Sequence, residues 1–166
     1  MLDLQKETLF NILQACFPCE GVLDVFAGSG ALGIEALSRG AASATFVERG
    51  RPAADAVRRN LEACGFAERA RVLEIDAFRL DPARIGHGLG LVFLDPPFPL
   101  VRTRTAAILG LAARVLGEGP VAEGVRLMLR VPSGAEVSDF PAPLVLENRR
   151  PAGESVILLF GRGRRA

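Results

Sequence analysis

The sequence has no tryptophan and no tyrosine, and its 166 residues include only three cysteines and one histidine. Three cysteines are too few, and too odd in number, for the disulfide framework of a small secreted protein. The longest apolar runs, residues 89–94 and 156–160, have the length of strands. A membrane-spanning helix needs roughly 20 apolar residues. Because no signal-peptide pattern is present either, we expect a cytoplasmic protein.

The formal net charge is only +1, because 20 basic residues are balanced by 19 acidic ones. This balance excludes a protein that coats nucleic acid through its overall charge, although a local basic surface remains compatible with it. Hydrophobic residues make up 49% of the chain, which is typical of a globular domain. We expect one domain over residues 1–166, with a core that needs neither disulfide nor metal.

Short runs rich in Val, Ile, Leu and Phe alternate with helix-like segments through about residue 131. This alternation predicts a doubly wound α/β domain, with a mostly parallel sheet and helices on both faces. The last two strands should form an antiparallel hairpin, because residues 149–154 between them leave no room for a helix. The predicted strands are residues 21–26, 44–48, 71–76, 89–95, 125–131, 144–147 and 155–161, and the predicted helices are residues 8–13, 31–39, 52–64 and 103–116.

A glycine-rich loop follows the first predicted strand, where Gly28, Gly30 and Gly33 spell the pattern G-x-G-x-x-G. Glycines at this spacing permit a tight turn and let the backbone approach a ligand closely. Glu48 follows at the end of the second strand, where a carboxylate can accept hydrogen bonds from ribose hydroxyls. The pattern by itself suits NAD, FAD or S-adenosylmethionine.

Two further acids are predicted at strand ends on the same edge of the sheet. Asp24 precedes Gly28 by four residues, where a carboxylate would repel a pyrophosphate but attract a cationic sulfonium or amino group. Asp76, followed by Ala77, closes the third strand and can accept a hydrogen bond from an adenine amino group. With Glu48, these acids favour a cationic ligand with many donors. Each acid alone could equally be a turn or helix-cap residue.

The fourth predicted strand ends in the motif Asp95-Pro96-Pro97-Phe98. In a doubly wound sheet this strand lies across the switch point from the first strand, beside the cofactor crevice. The prolines remove backbone donors, which leaves the Asp95 carboxylate and the Pro96 carbonyl as acceptors facing the cleft. Two acceptors and the Phe98 ring suit the exocyclic amine of a nucleobase, with the ring stacked on the base.

These motifs resemble those of class I S-adenosylmethionine-dependent amino-methyltransferases. Residues 6–13, 23–39 and 153–160 resemble the RsmD-type family, which methylates the guanine 2-amino group of 16S ribosomal RNA in the small subunit. The resemblance implies a Rossmann-like class I methyltransferase fold, S-adenosylmethionine as cofactor, and a monomer that acts on small-subunit ribosomal RNA or an assembling subunit. The implied cofactor-binding residues are Asp24, Phe26, Ala27, Gly28, Ser29, Gly30, Glu48, Asp76 and Ala77, and the implied catalytic residues are Asp95, Pro96, Pro97 and Phe98.

Basic residues near the motif supply candidate RNA contacts. Arg102 and Arg104 follow the catalytic motif and are candidates to bind phosphates beside the target base, with a solvent-exposed helix start as the alternative. A second candidate is the Arg-rich C-terminus, formed by Arg149, Arg150, Arg162, Arg164 and Arg165, for which a disordered tail is the alternative. Family members usually carry a basic N-terminal hairpin before the first helix, and we expect this domain to lack it.

Three other functions remain open from the sequence. The glycine pattern also fits an NAD-dependent oxidoreductase. The acceptor geometry would equally serve a methyltransferase acting on DNA adenine or a protein amide. A non-catalytic cofactor-binding module is the third alternative. No metal site is predicted, because the Cys16 and Cys19 pair has no second pair and His87 is the only histidine.

Overall fold

Seven strands form one sheet in the computed structural model, which describes residues 3–86 and 88–163. The sheet order is β3-β2-β1-β4-β5-β7-β6, in which β1 to β5 pair in parallel and β7 pairs antiparallel with both β5 and β6. The strands are β1 (Cys19–Val25), β2 (Ala41–Val47), β3 (Ala70–Leu73), β4 (Leu89–Leu94), β5 (Val121–Pro132), β6 (Leu144–Ala152) and β7 (Ser155–Arg162). The predicted mostly parallel sheet with a C-terminal antiparallel hairpin is confirmed.

The strand order places a crevice at the centre of the sheet. From β1 the chain moves outward to β2 and β3, and it then returns to the other side of β1 to form β4. The connections that follow β1 and β4 therefore diverge, which opens a ligand crevice at the carboxyl ends of these strands. The antiparallel β7 distinguishes this sheet from the 3-2-1-4-5-6 order of dinucleotide-binding domains.

Helices cover both faces of the sheet. They are α1 (Asp3–Ile12), α2 (Ala31–Ser38), α3 (Arg51–Ala63) and α4 (Phe98–Glu118). One core cluster joins α1, α2 and α3 to the sheet, and the other joins α4 to the opposite face. The central strand β4 faces both clusters, which explains its continuous apolar sequence. None of the helices in the described residues is long and apolar enough to cross a membrane.

Helix α4 begins five residues before the predicted start at residue 103. Pro97 precedes its first turn, and a proline inside that turn is compatible with a helix start. The backbone is non-helical at Arg104, with φ −137° and ψ 33°, so α4 consists of two segments joined by a kink. Hydroxyls of Thr103 and Thr105 donate to carbonyls of the preceding turn, a contact that bends helices.

The connection between β6 and β7 is shorter than predicted. Residues 149–152 belong to β6, so only Gly153 and Glu154 form the turn. Pro151 is tolerated within a strand because β6 lies at the edge of the sheet. Arg149 and Arg150 therefore lie on a strand rather than in a disordered tail, whereas Arg164 and Arg165 lie outside the described residues.

Gly33 allows α2 to pack closely on the sheet. A Cβ atom at this position would approach the ring of Phe46 on β2 to 2.3 Å, a distance that real side chains do not reach. The same close approach brings the Gly33 amide within 2.9 Å of the Asp24 carboxylate on β1. Gly33 therefore fixes the position of the helix that follows the glycine loop.

We expect Gly33→Ala to lower the free energy of unfolding by about 1–3 kcal/mol, because the added methyl group must displace the buried Phe46 ring. Urea denaturation measures the change. Gly110→Ala in α4 is the matched control, since no atom lies within 4 Å of its added Cβ. The control should be neutral or stabilising by up to about 1 kcal/mol. Equal stability of the two variants would contradict close packing at Gly33.

Candidate active site

A cavity of about 540 Å³ lies at the carboxyl ends of the parallel strands. This volume is in the range of small-molecule and cofactor sites. Every residue predicted to bind cofactor or substrate lines it, except Gly30 and Arg102. The predicted residues in its lining are Asp24, Phe26, Ala27, Gly28, Ser29, Glu48, Asp76, Ala77, Asp95, Pro96, Pro97, Phe98 and Arg104. The fold therefore brings the two sequence motifs to one site.

The glycine loop presents its backbone to this cavity. Gly28 has a φ of +58°, and no protein atom lies within 4 Å of the position that a Cβ would take. This space allows a ligand to approach the backbone closely. Gly30 has a φ of +81° and packs against Phe46 and Val57, so its role is to start α2. Phe26 also has a positive φ, 65°, which is unusual for a bulky side chain and characteristic of functional loops.

Glu48 connects the loops that follow β1 and β2. Its Oε2 accepts a hydrogen bond from the Gly28 amide at 3.0 Å, and its Oε1 accepts one from the Gly50 amide at 2.7 Å. The two bonds fix the orientation of the carboxylate at the cavity wall. A carboxylate has about four acceptor sites, so these two bonds leave acceptor capacity for ligand hydroxyls.

Asp24 lines the cavity near the carboxyl end of β1 and is almost fully buried there. Its side chain lies within β1, the residue is 1% exposed, and its Oδ2 accepts the Gly33 amide at 2.9 Å. The pKa of Asp24 is raised to about 8, mainly by burial; the Gly33 hydrogen bond opposes this shift, and the charges of Asp95 and Glu48 add to it. The carboxylate is buried because it lies against the start of α2, where it bonds the Gly33 amide.

Asp76 has a structural contact in addition to its place in the cavity wall. It precedes a short 3-10 helix, Ala77–Arg79, and its Oδ1 accepts a hydrogen bond from the Phe78 amide at 2.9 Å. This is the helix-cap role that the sequence left open. The bond uses one acceptor site of the carboxylate, so Asp76 retains capacity to accept from a ligand amino group.

Asp95 forms a two-point ion pair with Arg130 on β5, a contact that neither motif predicts. Arg130 Nε lies 2.6 Å from Asp95 Oδ1, and Arg130 Nη2 lies 3.1 Å from Oδ2. The side chains of both residues are 16% exposed. The Arg130 guanidinium also stacks over the Phe98 ring, with its carbon 4.9 Å from the ring centroid. Only the parallel pairing of β4 with β5, which sets Leu94 opposite Leu129, could have revealed this neighbour.

The two arginines predicted to bind substrate are placed differently. Arg104 lines the cavity at the kink of α4, and its guanidinium lies over the Phe78 ring at 4.1 Å from the centroid. Arg102 is exposed on the first segment of α4, outside the cavity lining. Arg104 is therefore the better positioned of the two to contact a ligand in the cavity.

Cys16 and Cys19 lie at the amino end of β1, away from this cavity, and line a separate hollow. Both are free thiols, and burial raises the pKa of Cys19 to about 11, which keeps it protonated and poorly reactive. No group of His, Cys, Asp and Glu side chains among the described residues could hold a metal ion. His87 lies outside the described residues.

The family model described as Conserved hypothetical protein 95 matches residues 1–161. The chain belongs to this family. It is 45% identical over 96 residues to Ribosomal RNA small subunit methyltransferase D of Escherichia coli K12, an alignment of 58% of this chain and 48% of the relative. It is 42% identical over 98 residues to YlbH of Bacillus subtilis, named provisionally as an rRNA methyltransferase, which covers 58% of this chain and 53% of the relative.

The predicted resemblance to the RsmD-type family is confirmed by these matches. The chain spans about half the length of the curated relatives that it matches. A solved structure of yhhF from Escherichia coli, described provisionally as a methyltransferase, has a TM-score of 0.83 and 33% identity. The match covers 99% of this chain and 89% of that one, which confirms the predicted class I methyltransferase fold.

Asp24 makes the stability of the protein dependent on pH. Its pKa rises from 3.8 to about 8 on folding, so the folded state binds the proton more tightly than the unfolded state. Stability from this group is therefore present at low pH and declines as the pH rises from about 4 to about 8. We expect Asp24→Asn, which cannot ionise, to gain stability relative to the wild type across this range. Thermal unfolding at stepped pH values measures it, and parallel pH profiles would contradict it.

Proposed function

We propose that the chain is an S-adenosylmethionine-dependent methyltransferase that modifies the guanine 2-amino group of 16S ribosomal RNA. One observation carries the proposal: Asp95, Pro96 and Phe98 line the same cavity as the glycine loop and its carboxylates. The Asp95 carboxylate and the Pro96 carbonyl, as acceptors, and the Phe98 ring thus lie beside the glycine loop that would bind the cofactor. The ribosomal RNA methyltransferases among its relatives support this choice of substrate.

The cavity fits S-adenosylmethionine. The open space at Gly28 accommodates a ligand against the loop backbone, and Glu48 retains acceptor capacity for ribose hydroxyls. Asp76 would accept from the adenine amino group, with Ala77 beside it in the wall. Asp24 would lie near the cationic group, and its carboxyl would add negative charge only when it ionises, for which its pKa is about 8. When bound, S-adenosylmethionine supplies the activated methyl group.

The residues at the mouth of the cavity bind and orient the target base. The Asp95 carboxylate and the Pro96 carbonyl accept the N–H groups of the amine, which directs the nitrogen lone pair toward the cofactor side. The Phe98 ring stacks on the flipped base. Alignment of two reactants in this way can lower a barrier by about 7–11 kcal/mol. The amine loses its proton after transfer, to the Asp95 carboxylate or to water, so no further base is needed.

The other candidate functions have less support from the fold and its relatives. An oxidoreductase that binds NAD is disfavoured by the antiparallel β7 and by a buried acid beneath the glycine loop. A methyltransferase for DNA adenine or a protein amide would use the same acceptors, but the curated relatives are named for ribosomal RNA. Arg104 and the exposed Arg149 and Arg150 of β6 provide cations for RNA phosphates.

We expect Asp95→Ala to lower kcat for methyl transfer at least about 100-fold, because the amine loses its main acceptor. Radiolabelled methyl incorporation into unmodified small ribosomal subunits measures the rate. Asp81→Ala is the matched control, since Asp81 caps an exposed 3-10 turn outside the cavity lining. Label in the wild-type reaction no higher than with Asp95→Ala would overturn the proposed activity.

We expect Glu48→Gln to weaken S-adenosylmethionine binding about tenfold, because the amide nitrogen that replaces one oxygen cannot accept from Gly28 or Gly50. Isothermal titration calorimetry measures the affinity, with the exposed Glu62→Gln in α3 as control. Binding of NAD without binding of S-adenosylmethionine would replace this cofactor assignment with the oxidoreductase.

A further inference from the structure

Arg130 occupies two of the three groups that the proposed function assigns to the target base. Its Nε and Nη2 donate to the two oxygens of Asp95, and its planar guanidinium stacks on Phe98. All three side chains line the cavity. While the guanidinium remains there, a target base cannot make the same two-point contact with Asp95 or stack on the face of Phe98 that Arg130 covers.

The guanidinium resembles the edge of guanine in its arrangement of donors. In arginine, Nε–H and Nη2–H are attached to one carbon and point to the same side, which suits a carboxylate. In guanine, N1–H and the 2-amino group are likewise attached to one carbon and point to the same side. The Asp95 and Arg130 pair therefore displays, within the chain, the contact that a guanine would make with the same carboxylate.

We propose that Arg130 occupies the target-base position in the absence of RNA, so that its guanidinium holds the place of the target base until a guanine displaces it. The inference rests on the proposed function and extends it to a residue outside the motifs. After displacement, the guanidinium moves to the solvent at the cavity mouth, where its charge is hydrated. The site is thus filled by an internal competitor in the absence of RNA.

Displacement favours guanine because the two hydrogen bonds from Arg130 must be replaced. Guanine offers two parallel donors, so both Asp95 oxygens keep a partner. The amino group of adenine is flanked by the N1 acceptor, and that of cytosine by the N3 acceptor, so each base replaces one bond and places an acceptor against the other oxygen. A carboxylate oxygen that loses its donor in a partly buried site is costly. The displacement of Arg130 costs the same for every base, and the two Asp95 oxygens then favour guanine.

The kinetic test uses Arg130→Met, which keeps an unbranched apolar stem but has no donors. We expect the KM for unmodified small subunits to fall about three- to tenfold, because the competent site no longer has to be vacated. The KM should change more than the kcat, since the Asp95 and Phe98 side chains themselves are retained. Arg130→Lys should give an intermediate KM, because one ammonium cannot span both oxygens in the same plane. This variant decides the question if Arg130→Met fails to fold.

Arg126→Met is the matched control, because Arg126 lies on the same strand but pairs with Glu147, outside the cavity lining. Its KM should equal that of the wild type. An unchanged or raised KM in Arg130→Met would overturn the proposal. A kcat more than tenfold lower would also overturn it, since Arg130 would then act on Asp95 throughout the reaction.

A second measurement needs no methyl transfer and separates this inference from the proposed function. In the free protein, the ¹⁵N-detected Nε–H of Arg130 should be protected from solvent exchange by Asp95. Saturating guanosine 5′-monophosphate should remove this protection, whereas adenosine 5′-monophosphate should not. Protection that persists with the guanine nucleotide would overturn the inference. Displacement by guanine in a protein without methyltransferase activity would instead contradict the proposed function alone.

Discussion

The buried hydrogen bond from the Gly33 amide to the Asp24 carboxylate positions one side of the site. It ties β1 to the start of α2, and the glycine loop between them has no freedom to shift once both ends are fixed. The close contact of Gly33 with Phe46 makes this geometry possible. Glu48 extends the constraint to the next loop through its two backbone bonds. A wall for a cofactor is therefore assembled before any ligand arrives.

The opposite side of the cavity, at the end of β4, is organised by contacts between side chains. Pro96 and Pro97 follow β4 on this side. They lack amide donors, so strand pairing ends before them and α4 begins directly after them. The side chains on this side satisfy one another, since Arg130 pairs with Asp95 and stacks on Phe98. One wall is thus fixed by hydrogen bonds to the backbone, whereas the other depends on contacts between side chains.

The sequence predicts the parts of this molecule that depend on local pattern. The strands can be predicted from short apolar runs. The glycine-rich loop and the Asp95-Pro96-Pro97-Phe98 motif can be recognised because these residue combinations are unusual outside binding sites. The ion pair of Arg130 could not be predicted, because it depends on the register between β4 and β5. The burial of Asp24 depends on where α2 crosses β1. The early start of α4 is missed because the kink at Arg104 interrupts the helical periodicity of the apolar residues. These are properties of tertiary packing.

The edge strand β6 has a consequence for how copies of the chain meet. An open edge offers unpaired amide and carbonyl groups to other strands, and Val145 and Leu146 are exposed on this one. Pro151 removes an amide donor, and Arg149 and Arg150 place like charges along the same stretch. If β6 of a second copy paired with this edge, the arginines of the two strands would repel each other, and Pro151 would leave the ladder of backbone hydrogen bonds incomplete. The arginines that suit a phosphate backbone thereby also protect the chain from edge-to-edge aggregation.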